Sequence, residues 1–220
     1  MTGFILKIIA VITMLCDHAG YIMLGKFSFM NYIGRLSFPI FAFLITEGYK
    51  HTKYLKKYFA RLLIFAIISQ IPYMLFLNTF SNSFSLNILF TLILGLLGIT
   101  IYDKIKYKPL GIIIVILFSI IAHFSHFDYG WFGIAIIFIF YIFKEKKILM
   151  NLFFCVIVFL NYFYNYITSL RIEYLFIIFF CSLSLIPINL YNEKKGKNLK
   201  YFLYVFYPLH LIVLYLFSFI

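Results

Sequence analysis

An aspartate and a histidine stand side by side, Asp17-His18, near the far end of an apolar run, 4–24, long enough to cross a bilayer. An ionisable group at the centre of such a run costs roughly 2.5–3.5 kcal/mol to insert, so by default it marks a functional site. A neutral imidazole near pH 7 is suited to take a proton from a hydroxyl or an amine, which makes His18 a candidate general base. Lys7 lies eleven residues earlier. At 3.6 residues per turn, Lys7 and His18 share one stripe with Val11, Met14 and Tyr21 and lie roughly 16 Å apart along the axis. One helix then offers a cation at one end, where a phosphate-bearing donor can dock, and a base near the other. Asp17 points about 100° away from His18, so it is expected to partner another helix, with Arg35 and His210 as candidates. The plain alternative gives Lys7 a topology-setting role and His18 a packing one.

Other polar residues interrupt the later apolar runs. Arg35, in Gly34-Arg35-Leu36-Ser37-Phe38-Pro39, cannot lose its charge, so it must snorkel, bind an anion or pair with Asp17. Gln70-Ile71-Pro72 joins a buried amide to a proline that frees a backbone carbonyl, so Gln70 either ties helices together or lines a cavity. Tyr207-Pro208-Leu209-His210 repeats that pattern, and two such histidines point to a shared polar cavity. His123, His126 and Asp128 form a short interfacial cluster with no matching ligands elsewhere, so no metal is expected, and the segment reads as an outer loop ordering the substrate mouth. Glu47 and His51 are expected on a solvated inner face, and Arg171 with Glu173 as a surface pair. Cys16, Cys155 and Cys181 are isolated within apolar segments, as small buried residues would be.

The elements that must position these groups are helices. Of 220 residues 65% are hydrophobic and only 12% charged, too little polar surface for a soluble domain. Apolar runs at 4–24, 36–50, 58–77, 86–102, 109–124, 130–143, 148–164, 173–191 and 200–219 predict an all-α polytopic membrane bundle of about nine spans, one domain over 1–220. Loops 50–61, 103–108, 144–147 and 192–200 hold 15 Lys and Arg, whereas the alternate loops hold only Lys26, Arg35 and Arg171. That bias places the N-terminus in the cytoplasm. The net charge of +12 is therefore read as topology signal and contact with anionic lipid headgroups, not as a nucleic-acid surface.

Leu6-Lys7-Ile8-Ile9-Ala10 with Met14-Leu15-Cys16-Asp17-His18, then Ile33-Gly34-Arg35-Leu36-Ser37-Phe38-Pro39-Ile40-Phe41, resembles the TraX family. Glu47-Gly48-Tyr49, Ser69-Gln70-Ile71-Pro72-Tyr73, Asn87-Ile88-Leu89-Phe90 and Phe206-Tyr207-Pro208-Leu209-His210 extend the likeness over nearly the whole chain. The resemblance implies a relation to transmembrane acyltransferases, including the acyltransferase-3 proteins. Those take acyl-CoA from the cytoplasm and modify an acceptor on the far side through a histidine in the membrane, and the family's founding role is N-acetylation of a conjugative pilin. The expectation is thus a multi-pass bacterial cell-membrane acetyltransferase using acetyl-CoA. His18, Asp17 and His210 are its catalytic candidates, and Arg35, Gln70, Tyr207 and Asn87 its substrate-binding ones. Lys7 and Arg61 are expected to meet the CoA phosphates. The alternative is a proton-coupled transporter or flippase using Asp17, His18 and His210 as a relay.

Overall fold

The computed structural model describes residues 1–81, 83–197 and 199–219, with only the backbone at Lys200, so the charge counted there lies outside the described residues. Each apolar run folds as helix. In chain order the elements are α1 (Gly3–Met23), α2 (Phe29–Gly34), α3 (Ser37–His51), α4 (Leu55–Asn78), α5 (Ile88–Lys104), α6 (Lys108–Phe124), α7 (Gly130–Ile142), α8 (Lys147–Ser169), α9 (Glu173–Leu183), α10 (Leu185–Asn189) and α11 (Lys200–Phe217). Among the described residues, four segments are long and apolar enough to cross a membrane: α1, α2 with α3 (Phe29–His51), α4 and α8.

Helix α1 packs against α2, α3 and α11, and α4 packs against α11 and α5. Helix α7, Gly-Trp-Phe-Gly-Ile-Ala-Ile-Ile-Phe-Ile-Phe-Tyr-Ile, has no polar face and is enclosed by α3, α5, α6 and α8. A helix apolar all round belongs in a protein core or in a bilayer. The outward faces are different. Leu63, Ile64, Ile67, Ile68 and Ile71 of α4 and Ile113, Ile116, Leu117, Ile120 and Ile121 of α6 are all exposed. Apolar faces of this extent are not covered by anything in the bundle.

Polar contacts gather at the two ends. At the lysine-rich end, the Tyr49 and Tyr141 hydroxyls donate to the two oxygens of Asp103 at 2.8 and 2.6 Å. These bonds, Tyr141's foremost, hold the Asp103 carboxyl below its ordinary range. Glu47 departs from the solvated-face expectation. It is 4% exposed and ion-paired with Lys144, because α3 turns it inward against the loop before α8. Arg171 lies 5.5 Å over the Phe27 ring, and among the described residues it makes no ion pair with Glu173.

At the opposite end a short helix sets the geometry. Ser28 and Asn31 form a reciprocal capping box that starts α2. Gly34 and Gly20 let α2 approach α1 closely, since a Cβ on Gly34 would fall 2.2 Å from the Asp17 Cβ, and one on Gly20 would fall 2.9 Å from Asn31 Nδ2. Gly34→Ala is therefore expected to force α1 and α2 apart. The overpacking penalty is about 1–3 kcal/mol, measurable as a lowered unfolding midpoint of the detergent-solubilised protein, while Gly25→Ala, in open space, serves as the strain-only control.

Candidate functional site

The α1–α2 contact builds an ion pair. Arg35 Nη2 donates to Asp17 Oδ1 at 2.8 Å and to the Tyr21 hydroxyl at 3.0 Å, and Arg35 Nε donates to the Asn31 carbonyl at 3.3 Å. Asn31 Nδ2 in turn donates to the Asp17 backbone carbonyl at 2.8 Å and to Oδ1 at 3.3 Å. Of its two candidate partners, Asp17 takes Arg35, and with it Asn31, as the 100° offset from His18 requires.

His18 turns the other way, toward α11. Its Nδ1 lies 2.7 Å from His210 Nε2, with the rings parallel within 6°. His210 Nδ1 lies 2.8 Å from the Phe206 carbonyl. A carbonyl only accepts, so His210 Nδ1 carries a proton, and in a neutral ring its Nε2 is then a lone pair. His18 Nδ1 must therefore donate to it, which leaves the lone pair of His18 on Nε2. Phe76 and Phe206 pack against the two rings at centroid distances of 5.0 and 4.9 Å and limit their rotation. One main-chain carbonyl thus sets the tautomers of both histidines.

Lys7, Val11, Met14 and His18 all line a cavity of about 600 Å³. Tyr21, the fifth residue of that stripe, serves Arg35 instead. At the lysine-rich end the wall carries Lys7, Arg61 and Lys195 with Tyr58 and Tyr204. The Arg61 guanidinium lies 5.9 Å over the Tyr58 ring, and its Nε is buried with no partner among the described residues. Apolar residues of α3, α4 and α5 (Leu44, Ile45, Leu62 and Leu92) line the middle. Asp17, His18, Asp128, Tyr129 and Tyr207 line the other end. The arrangement joins anion-binding groups to a base through an apolar passage.

Residues 2–218 match the family described as TraX protein. The chain belongs to the TraX family. A relative, "Probable fimbrial assembly protein FimC, serogroup H1" of Dichelobacter nodosus, is 27% identical over 232 residues, which cover 97% of this chain and 94% of that protein. No solved structure matches the chain.

Not every polar residue singled out in this TraX sequence reaches the cavity. Gln70 Nε2 donates to the Ser85 carbonyl at 2.9 Å, and its Oε1 accepts from Asn87 N and Nδ2 at 3.0 and 2.8 Å. Asn87 caps α5 through Leu89 N and also donates to the Ala66 carbonyl at 2.8 Å. The two amides tie α4 to the start of α5, and neither lines the cavity. Arg35 and His210 stand behind Asp17 and His18, likewise off the cavity wall. Lys7, Arg61, Asp17, His18 and Tyr207 are on it. His123 and His126 are exposed. Asp128, from the same loop, turns inward. Removal from water pushes its carboxyl up to about 7, with Arg35 opposing and Asp17 reinforcing the shift.

Two outcomes follow. Asp17→Asn leaves the Arg35 charge buried without its counter-ion and is expected to cost about 3–5 kcal/mol, and adding Arg35→Gln is expected to recover much of it, read from denaturation midpoints. The raised Asp128 value means the folded protein binds a proton that the unfolded chain releases near pH 4. Stability from this group is full below about pH 4, is lost as pH rises through about 7, and is flat above that. The gain in midpoint from Asp128→Asn is therefore expected to grow across that window and level off near pH 8.

Proposed function

We propose that this TraX-family chain is a multi-pass membrane acyltransferase that moves an acetyl group from cytoplasmic acetyl-CoA to a hydroxyl or amine acceptor at the extracytoplasmic face. The observation that carries the reading is that Lys7 and His18 share the wall of one cavity, with the lone pair of the histidine dyad on His18 Nε2. The uncovered apolar faces of α4 and α6 support a bilayer around the bundle. The lysine bias supports a cytoplasmic N-terminus. The relative named as a fimbrial assembly protein supports a surface-appendage subunit among the acceptors.

The donor's chemistry fits the residues present. Its phosphates require cations, which Lys7, Arg61 and Lys195 offer, and the unpartnered Arg61 Nε is a buried donor awaiting an acceptor. Its thioester arm requires a passage of low polarity to the base. The apolar stretch between those cations and His18 meets that need, over the roughly 16 Å that eleven helical residues span.

His18 Nε2 takes the proton of the acceptor's O–H or N–H as that oxygen or nitrogen bonds to the acetyl carbon. The carbon–sulfur bond then breaks, and the imidazolium returns the proton to the departing thiolate, so that ester or amide and free CoA thiol leave. While His18 carries the extra proton, His210 stays bonded to its Nδ1–H and fixes the ring, and the Asp17–Arg35–Asp128 end, anionic once Asp128 is ionised, favours the cation. His210 is a positioning residue, since it touches His18 and not the cavity.

The test is release of CoA thiol by the purified protein supplied with acetyl-CoA and simple amine and alcohol acceptors. His18→Ala is expected to lower the rate about 100- to 10,000-fold. His210→Ala is expected to lower kcat with little change in KM, while His210→Gln, whose amide oxygen can accept the same N–H, retains much more activity. A wild-type protein releasing no CoA above background would sink the reading and favour a proton relay through Asp17, His18 and His210.

A further inference from the structure

We infer that Asp128 is the acceptor-binding residue, holding a hydrogen-bond-donating group of the acceptor, a hydroxyl or a neutral amine, beside His18. This rests on the acyl-transfer reading above and adds to it the residue that selects the second substrate.

Four carboxylates line the cavity: Asp17, Glu47, Asp128 and Glu193. Arg35 answers Asp17 and Lys144 answers Glu47, while Glu193 is exposed at the lysine-rich mouth. Asp128 has no ion-pair partner among the described residues, although it stands at the end of the cavity that holds His18. With neutral imidazoles, that end gains a negative charge in excess as Asp128 ionises above about pH 7, because a single guanidinium then faces two carboxylates. The opposite end carries Lys7, Arg61 and Lys195. The cavity is thus polarised along its length. A polyanionic donor is drawn to one end, and a group that donates hydrogen bonds is drawn to the other.

The loop that carries Asp128 is held in place at some cost. Leu86 N donates to the His126 carbonyl and Asp128 N donates to the Leu86 carbonyl, both at 2.9 Å, and Thr91 Oγ1 donates to the Asp128 carbonyl at 2.5 Å. The Tyr129 ring stacks on Phe38 at a centroid distance of 4.0 Å. Tyr129 sits at φ 61°, a region that a bulky side chain seldom occupies, and His126, of a type that tolerates it better, at φ 55°. Backbone strain of this kind persists where the surroundings impose it, and it clusters at sites that bind or react. Here its effect is to place an unpaired carboxylate in the cavity wall.

The experiment uses the full chain in lipid nanodiscs, with acetyl-CoA as donor and glycinamide and glycerol as acceptor probes. Asp128→Asn is expected to raise the acceptor KM about tenfold or more while the KM for acetyl-CoA holds, with Asp128→Glu between the variant and the wild type. An unchanged acceptor KM, or an equal rise in both constants, overturns the inference. A second readout does not need turnover. Ile88→Cys, on the cavity wall two residues from the Leu86 partner of Asp128, is treated with a membrane-impermeant maleimide, and labelling at position 88 is quantified by mass spectrometry. Labelling that either probe slows with Asp128 present, and that neither slows once Asp128→Asn is added, supports the acceptor site even if no CoA is released, in which case the transfer reading alone falls. Labelling that neither probe slows with Asp128 present, or that a probe slows equally with Asp128→Asn, overturns the inference.

Discussion

A carboxylate and a guanidinium removed from water are unfavourable separately and tolerable together only when their geometry is close and their remaining bonding capacity is met. The Asp17–Arg35 pair meets both conditions, with Tyr21 and Asn31 taking up further donors and acceptors. That requirement constrains much of the surrounding structure. It demands that α2 lie against α1, which Gly20 and Gly34 permit, and that Asn31 sit in a capped first turn, which Ser28 provides. With Asp17 committed to α2, the next residue of the same helix has to face elsewhere, and His18 meets α11 and the cavity. The histidine dyad therefore depends on a salt bridge it never touches.

The polar side chains of the bundle divide by what they leave unused. Gln70 and Asn87 satisfy each other and nearby backbone at the start of α5, so they spend their capacity on holding helices together. Glu47, Lys144, Asp103 and the tyrosines around it do the same at the lysine-rich end. His18 Nε2, Arg61 Nε and the Asp128 carboxylate, beyond its bond from Tyr129 N, keep capacity to spare, and all three residues line one cavity. Capacity left over in a low-dielectric interior is costly, and the Ser69 hydroxyl, buried in α4 without a partner among the described residues, bears the same cost away from the cavity.

Periodicity made much of this legible in the sequence. Positions 7, 11, 14 and 18 fall on one stripe by arithmetic alone, and the structure places all four in one wall. The divergence of Asp17 from His18 was equally readable, because neighbours on a helix do not face each other. What could not be read depends on contacts distant in sequence. Asp128 looked like part of a surface histidine cluster, because a loop's direction is fixed by partners such as Leu86 and Thr91. Glu47 looked solvated, because its counter-charge, Lys144, belongs to another loop. Gln70 was recognised as either glue or lining, and only the position of Asn87 decided between them. Lys195 was indistinguishable from other topology-setting lysines until the loop before α11 met the start of α1 through the bond from Gly3 N to the Lys194 carbonyl.

Because the cation and the imidazole ride on one uninterrupted helix, α1 works as a ruler. Their separation is set by residue number, independent of side-chain packing, and cannot drift by small amounts. Adding or removing a single residue between them would change the spacing by only about 1.5 Å, yet would swing one group about 100° around the axis and out of the shared wall. Point substitutions along the stripe can widen or narrow the passage, but the number of residues from Lys7 to His18 is locked. Any lineage that altered it would have to bring the cation to that wall from a different helix.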